Sequence, residues 1–190
     1  MAGKAKLTGA AGMGAMALAL GLWIFSEGDG PRKGDVFSSY QDIVGVWTIC
    51  HGHTGREVKR GMTATKAECE ALAESDLGKG FAAEDKYVNN VTALPIWTRA
   101  GVAVFAGNVG VEQFRTSSVR RLLNHHDIPT SVEYRRHHRA LLNTPDIPAA
   151  CNAILLFNKA RAGPMGTLVV VTGLINRRER ERHLCLGEPW

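Results

Sequence analysis

No acidic residue occurs before Glu27 and no cysteine before Cys50 in this chain of 190 residues. The first absence leaves the N-terminus purely cationic, through Lys4 and Lys6, and the second excludes thiol chemistry from that segment. Aromatic residues make up only 7% of the chain, and no recognisable nucleic-acid-binding motif is present. A nucleic-acid partner is therefore not expected, despite a net charge of +5. There is no internal repeat, and no low-complexity tract beyond an N-terminal Gly/Ala run, which excludes repeat architectures. With 45% hydrophobic and 22% charged residues, the chain is neither disordered nor wholly embedded in a membrane, and its length fits one globular domain.

From Leu7 to Phe25 the sequence runs uncharged for 19 residues, the length of a minimal membrane span. Lysines ahead of an apolar run place the N-terminus in the cytoplasm and export the remainder of the chain. The run is only weakly apolar, because nine of its 19 positions are Gly or Ala, so leaving a bilayer costs less than for an ordinary anchor. A cleaved signal peptide would need a small-x-small site at its end, which Trp23, Ile24, Phe25, Ser26 and Glu27 do not offer. A permanent anchor would be greasier. A buried core helix is the remaining alternative, but it has no need of the lysine flank. The preferred reading is an uncleaved anchor able to leave the membrane, with residues 1–26 serving export and residues 27–190 forming the body.

In the body, EGDGPRKGD ends the apolar helix. VGVWTICHGH, Val44 to His53, alternates as a single strand with Trp47, Ile49 and His51 on one face. Thr65 and Glu68 have capping-box spacing and open a helix from Lys66 to about Leu77. Further helices are expected around Pro95–Phe105, Ser117–Asn124, Ser131–Leu142, Pro148–Ala160 and Leu174–Leu186. This layout is α+β and helix-dominant, a small β-hairpin region followed by a helical lobe. The basic excess lies in the C-terminal half, where RRERER reads as a solvated helix face with local Arg/Glu pairs.

Glu27 and Asp42 place one carboxylate after a helix and another before a turn, with the Thr48 hydroxyl on the next strand. Two carboxylates flanking a polar cleft are what glycoside hydrolysis requires, one protonated to donate to the leaving oxygen and one ionised to activate water or attack. Acids in loops are more often simply solvated, so the pattern alone carries little weight. Paired histidines at His125-His126 and His137-His138, and the Cys50, His51, His53 group, do not make a metal site, because neighbours on a helix or strand diverge. No cofactor is expected.

YQDIVGVWTICHGHTG, residues 40–55, resembles the active-site hairpin of phage endolysins of glycoside hydrolase family 24, the T-even phage lysozyme type, and most closely the lambdoid signal-anchor-release endolysins. TKAEC, FAGNVGVEQFRTSS, ACNAILLFNKA and GLINRRERERHLCL come after it in the family's order. The resemblance implies a lysozyme-like fold and a muramidase that cleaves the β-1,4 bond between N-acetylmuramic acid and N-acetylglucosamine in peptidoglycan. It implies Glu27 as general acid, Asp42 as base or electrostatic partner and Thr48 as holder of the water, with His53 and Asn108 as substrate-binding residues. The implied mechanism is single displacement with inversion, although carboxylate separation decides this and spacing does not give it. The interval from Glu27 to Asp42 is longer than in the family, which makes Asp35 a competing acid. The cysteines allow three connectivities, and the expected fold brings together Cys50 with Cys69 and Cys151 with Cys185. Also implied are a monomer, tethered in the host inner membrane through residues 7–25 and then acting in the periplasm. A lytic transglycosylase and a non-catalytic peptidoglycan-binding protein on the same scaffold are the rival readings. The segments Asn124–Pro148 and Gly163–Gly173 depart from the family's usual connections, either as substrate contacts or as extra packing.

Overall fold

The computed structural model describes residues 10–27, 36–42, 45–124, 145–162 and 166–190. The helix expected over Ser131–Leu142, both histidine pairs, and the link that carries Asp35 lie outside these residues. Helix α1 (Ala10–Glu27) comes first, followed by short strands β1 (Val36–Ser38), β2 (Tyr40–Gln41), β3 (Trp47–Ile49), β4 (His53–Thr54) and β5 (Thr63–Thr65). β1 pairs with β5, and β2-β3-β4 form an antiparallel sheet of three strands. The helical lobe holds α2 (Lys66–Tyr87), α3 (Ile96–Val109), α4 (Val111–Thr116), α5 (Ser118–Leu123) and α6 (Ile147–Ala153). Hairpin β6 (Lys159–Ala162) and β7 (Thr167–Val170) then leads into α7 (Thr172–Leu186). The helix-dominant α+β layout is as expected.

The capping box forms as the spacing predicts. Glu68 N–H donates to Thr65 Oγ1 and Thr65 N–H to Glu68 Oε2, and donation to that carboxyl from the Thr65 N–H first and the Thr65 hydroxyl second holds it below its usual pKa. The helix it opens continues well beyond Leu77, through Gly78 and Gly80, to Tyr87. Glycine costs a helix about 1 kcal/mol relative to alanine. At position 80 that cost has a packing reason, since a Cβ there would lie 2.1 Å from the Ala103 carbonyl oxygen of α3. Gly101 does the same on the other side of α3, where a Cβ would meet Cys185 N of α7 at 2.6 Å. Helix α3 is consequently the buried axle of the lobe, with every residue from Thr98 to Ala106 buried.

Ala15, Ala19 and Leu22 of α1 are fully buried, in one core with Ala73, Leu77, Phe81, Ala100 and Ala103. The Gly/Ala run thus forms a close-packed helix on α2 and α3. Among the described residues no helix is long and apolar enough to cross a membrane.

Three sequence expectations need correction. The single strand to His53 is instead a hairpin, because Cys50 (φ 58°) and Gly52 (φ 83°) turn the chain so that Ile49 pairs with His53. The helix expected over Pro148–Ala160 ends at Ala153 with a 3₁₀ turn at Ile154–Leu156, and Lys159–Ala162 pairs as a strand with Thr167–Val170, three of whose four residues are β-branched. RRERER is not a wholly solvated face: Arg178 and Glu181 are buried and paired at 2.5 Å, where burial raises the Glu181 carboxyl pKa and lowers that of Arg178. Disulfides Cys50–Cys69 and Cys151–Cys185 tie the hairpin to α2 and α6 to α7, the pairing expected from the resemblance.

Candidate active site

The β2–β3 connection sets the positions of the first two site residues. Asp42 N–H donates to the Val46 carbonyl at 2.9 Å, Gly45 N–H to the Asp42 carbonyl at 3.0 Å, and Val46 N–H to Asp42 Oδ1 at 2.8 Å. The Thr48 hydroxyl donates to the same Val46 carbonyl at 3.2 Å. One backbone unit, Val46, therefore fixes the carboxylate and the hydroxyl relative to each other. Both line a cavity of about 200 Å³.

Asn108, at the C-terminal end of α3, lines the same cavity. Its amide donates to Glu181 Oε1 at 2.7 Å and its carbonyl accepts from Arg177 Nη1 at 3.2 Å. The buried Arg178–Glu181 pair is thus the base on which Asn108 and Arg177 are set. This gives a buried pair of charges a positional function that the sequence pattern does not display.

Trp23, Tyr40, His51 and Arg177 complete the main walls. Trp23 reaches in from α1, and its indole Nε1 donates to the His51 carbonyl at 3.0 Å. The His51 ring stands edge-on to Phe37, with centroids 5.5 Å apart. Sequence reasoning passed over all four residues. The resemblance pointed to His53 in their place, through the G-H-T of the hairpin motif; the turn at Cys50–Gly52 sets His51 and His53 apart.

His53 is a clamp rather than part of the cavity lining. One ring nitrogen lies 2.7 Å from Asp76 Oδ2 on α2 and the other 3.0 Å from Glu57 Oε1, and Lys79 Nζ bonds Asp76 Oδ1 at 2.6 Å. The Glu57 carboxyl is held below its usual pKa, first by its own backbone N–H and then by His53. Glu27 is the last residue of α1, one turn after Trp23. Among the described residues no group of three or more His, Cys, Asp or Glu is arranged to hold a metal ion.

A family model described as phage lysozyme matches residues 33–139, a span that contains Asp42, Thr48, His53 and Asn108 and begins after Glu27. The SAR-endolysin of Enterobacteria phage PA-2 is 34% identical over 183 residues, covering 96% of this chain and 94% of its own length. That of Enterobacteria phage P21 is 33% identical over 183 residues, with the same coverage of each. Among solved structures, an endolysin from Escherichia coli O157:H7 phage FAHEc1 superposes with a TM-score of 0.66 at 22% identity, over 91% of this chain and 94% of that one. That superposition establishes the fold, and the sequence matches establish the kinship. The chain belongs to the phage lysozyme family and is a glycoside hydrolase.

Proposed function

We propose that this chain is a peptidoglycan muramidase, an endolysin that hydrolyses the β-1,4 bond between N-acetylmuramic acid and N-acetylglucosamine. The observation that carries the reading is the convergence of Asp42, Thr48 and Asn108 on one polar cavity. In this mechanism Glu27 protonates the leaving glycosidic oxygen as the C1–O bond breaks. Asp42 accepts a proton from the attacking water, which Thr48 helps to hold, so that each half of the cut chain ends in a hydroxyl. Position 27 falls one turn from Trp23 on the same helix face, which supports Glu27 over Asp35 as the acid. Asn108 and its partner Arg177 meet the sugar, while His53 secures the hairpin that carries Asp42 and Thr48.

In the same reading, residues 7–25 first tether the chain in the host inner membrane with the N-terminus in the cytoplasm and the body in the periplasm. Release then docks α1 and supplies Trp23 to the cavity. Residues 1–26 act as an anchor before release and as part of the lysozyme core afterwards. No cysteine in the anchor is needed, because position alone keeps Glu27 and Trp23 from the body. The relatives' shared name, SAR-endolysin, supports this order of events.

Mass spectrometry of muropeptides released by the purified chain tests the assignment. Hydrolysis gives reducing N-acetylmuramic acid ends that disappear in Glu27→Gln. Anhydro sugars would identify a lytic transglycosylase, no release at all would identify a wall-binding protein, and full activity in Glu27→Gln would move the acid to Asp35.

A further inference from the structure

Between Asp146 and Glu179 the sequence has no acidic residue, and the β6–β7 hairpin lies within that stretch. Its register pairs Lys159 with Val170 and Arg161 with Leu168. Residues directly opposite one another on antiparallel strands share a face, as do positions two apart on one strand, so these four side chains lie together. Ala160 and Ala162, paired with Val169 and Thr167, make the other face, where Ala160 lines a cavity with Gly173 and Leu174 of α7. The face of Lys159 and Leu168 is therefore turned away from that cavity. Leu168 is 58% exposed and Val170 56%, and both cations beside them are exposed too. The hairpin is closed at its base by Val171 N–H donating to the Asn158 carbonyl at 3.0 Å. Near its turn Arg161 Nη1 donates to the Gly166 carbonyl at 3.0 Å, a neutral partner that leaves the positive charge on the face.

Two aliphatic side chains between two cations, on a hairpin without a carboxylate, have the chemistry of an interfacial membrane contact. The apolar groups enter the boundary between headgroups and acyl chains, while Lys and Arg stay level with the phosphates. A second copy of the chain on this face would set like charges against one another, and a neutral sugar would offer the cations no counter-charge. We propose that the outer face of the β6–β7 hairpin docks on an anionic phospholipid surface. The contact is peripheral and separate from α1, whose apolar positions are packed in the core. In a lytic enzyme it would hold the folded body against the lipid after α1 has left it. The proposal stands apart from the muramidase reading, because lipid binding requires no catalysis.

The test measures sedimentation of the full-length protein with vesicles of phosphatidylglycerol and phosphatidylcholine, against vesicles of phosphatidylcholine alone. Helix α1 is intact in every variant, so differences between variants report the hairpin. The wild type is expected to bind the anionic vesicles more tightly, and less so as salt is raised. Lys159→Gln weakens that binding about fivefold, and Leu168→Gln with Val170→Gln about tenfold or more, at unchanged Tm. Hydrogen exchange of the β6–β7 amides should slow when anionic vesicles are added. Equal wild-type binding to both vesicles overturns the proposal, as do variants that bind like the wild type. Slowing of the same amides by soluble muropeptides and not by vesicles would assign the face to the cell wall and overturn it as well. Cleavage of purified, lipid-free wall should be the same in all variants, and its absence in the wild type would count against the muramidase reading alone.

Discussion

The indole of Trp23 donates to the carbonyl of His51 at 3.0 Å, joining the N-terminal helix to the hairpin across 28 residues of sequence. The bond is buried, and both residues line the cavity. Trp23→Phe keeps an aromatic side chain, though a smaller one, and removes the donor, leaving a buried carbonyl without that partner at a cost of about 1–3 kcal/mol. Calorimetry should record a Tm lowered by several degrees. Wall-lysing activity should fall further than the loss of folded protein explains.

Asp42 can be replaced by asparagine without disturbing the turn, since an amide oxygen can also accept from Val46 N–H. Asp42→Asn should therefore fold normally and lose about 100-fold or more in kcat, the usual scale for a positioned base. A turbidity assay at matched Tm measures the effect.

Removing one member of the buried pair beneath Asn108 leaves an uncompensated charge. Glu181→Ala strands Arg178 and should cost about 3–5 kcal/mol in urea unfolding. Glu181→Gln keeps an acceptor for Asn108, so it should lose less activity per unit of stability lost than the alanine variant.

Stability should also depend on pH through Glu84. Burial pushes its carboxyl up to about 8 against the partial opposition of Arg99, whose Nη2 is paired with Asp85 at 2.7 Å. A raised carboxyl pKa means the folded state holds the proton more tightly than the unfolded one. This contribution is full below about pH 4.5 and declines as pH rises towards about 8. Melting curves from pH 5 to 9 should slope downward in the wild type and flatten in Glu84→Gln.

The two crosslinks close loops of different size, 19 residues for Cys50–Cys69 and 34 for Cys151–Cys185. Chain entropy assigns them about 3 and about 4 kcal/mol. Cys151→Ser with Cys185→Ser should lower the urea midpoint more than the corresponding change at Cys50 and Cys69.

Local rules were readable in the sequence wherever neighbours in the chain decide the outcome. Thr65 and Glu68 announced the start of α2, and the Asp42 turn with Thr48 after it identified the hairpin. Long-range partners were not readable. Nothing adjacent to Trp23 or Arg177 marks them as walls of one cavity, because α1 and α7 meet the hairpin only through tertiary packing. Gly80 has its meaning in the carbonyl of a different helix. Two positive-φ residues, one of them a cysteine, were enough to change which histidine faces the cavity.

If α1 serves first as the anchor proposed above, its close fit on the body limits how that segment can vary. A Cβ at Gly14 would lie 2.5 Å from Ile96 Cδ1, and Ala15 and Ala19 are completely covered. Any larger side chain at these three positions that held the helix longer in lipid would also spoil its seat on the enzyme. Ala17 and Gly21 are exposed in the docked state. On the proposed anchor-release reading, leucine at those two positions would lengthen residence in the bilayer without altering the packed face of α1, so the delay before lysis and the strength of the final enzyme would be separately adjustable along a single helix.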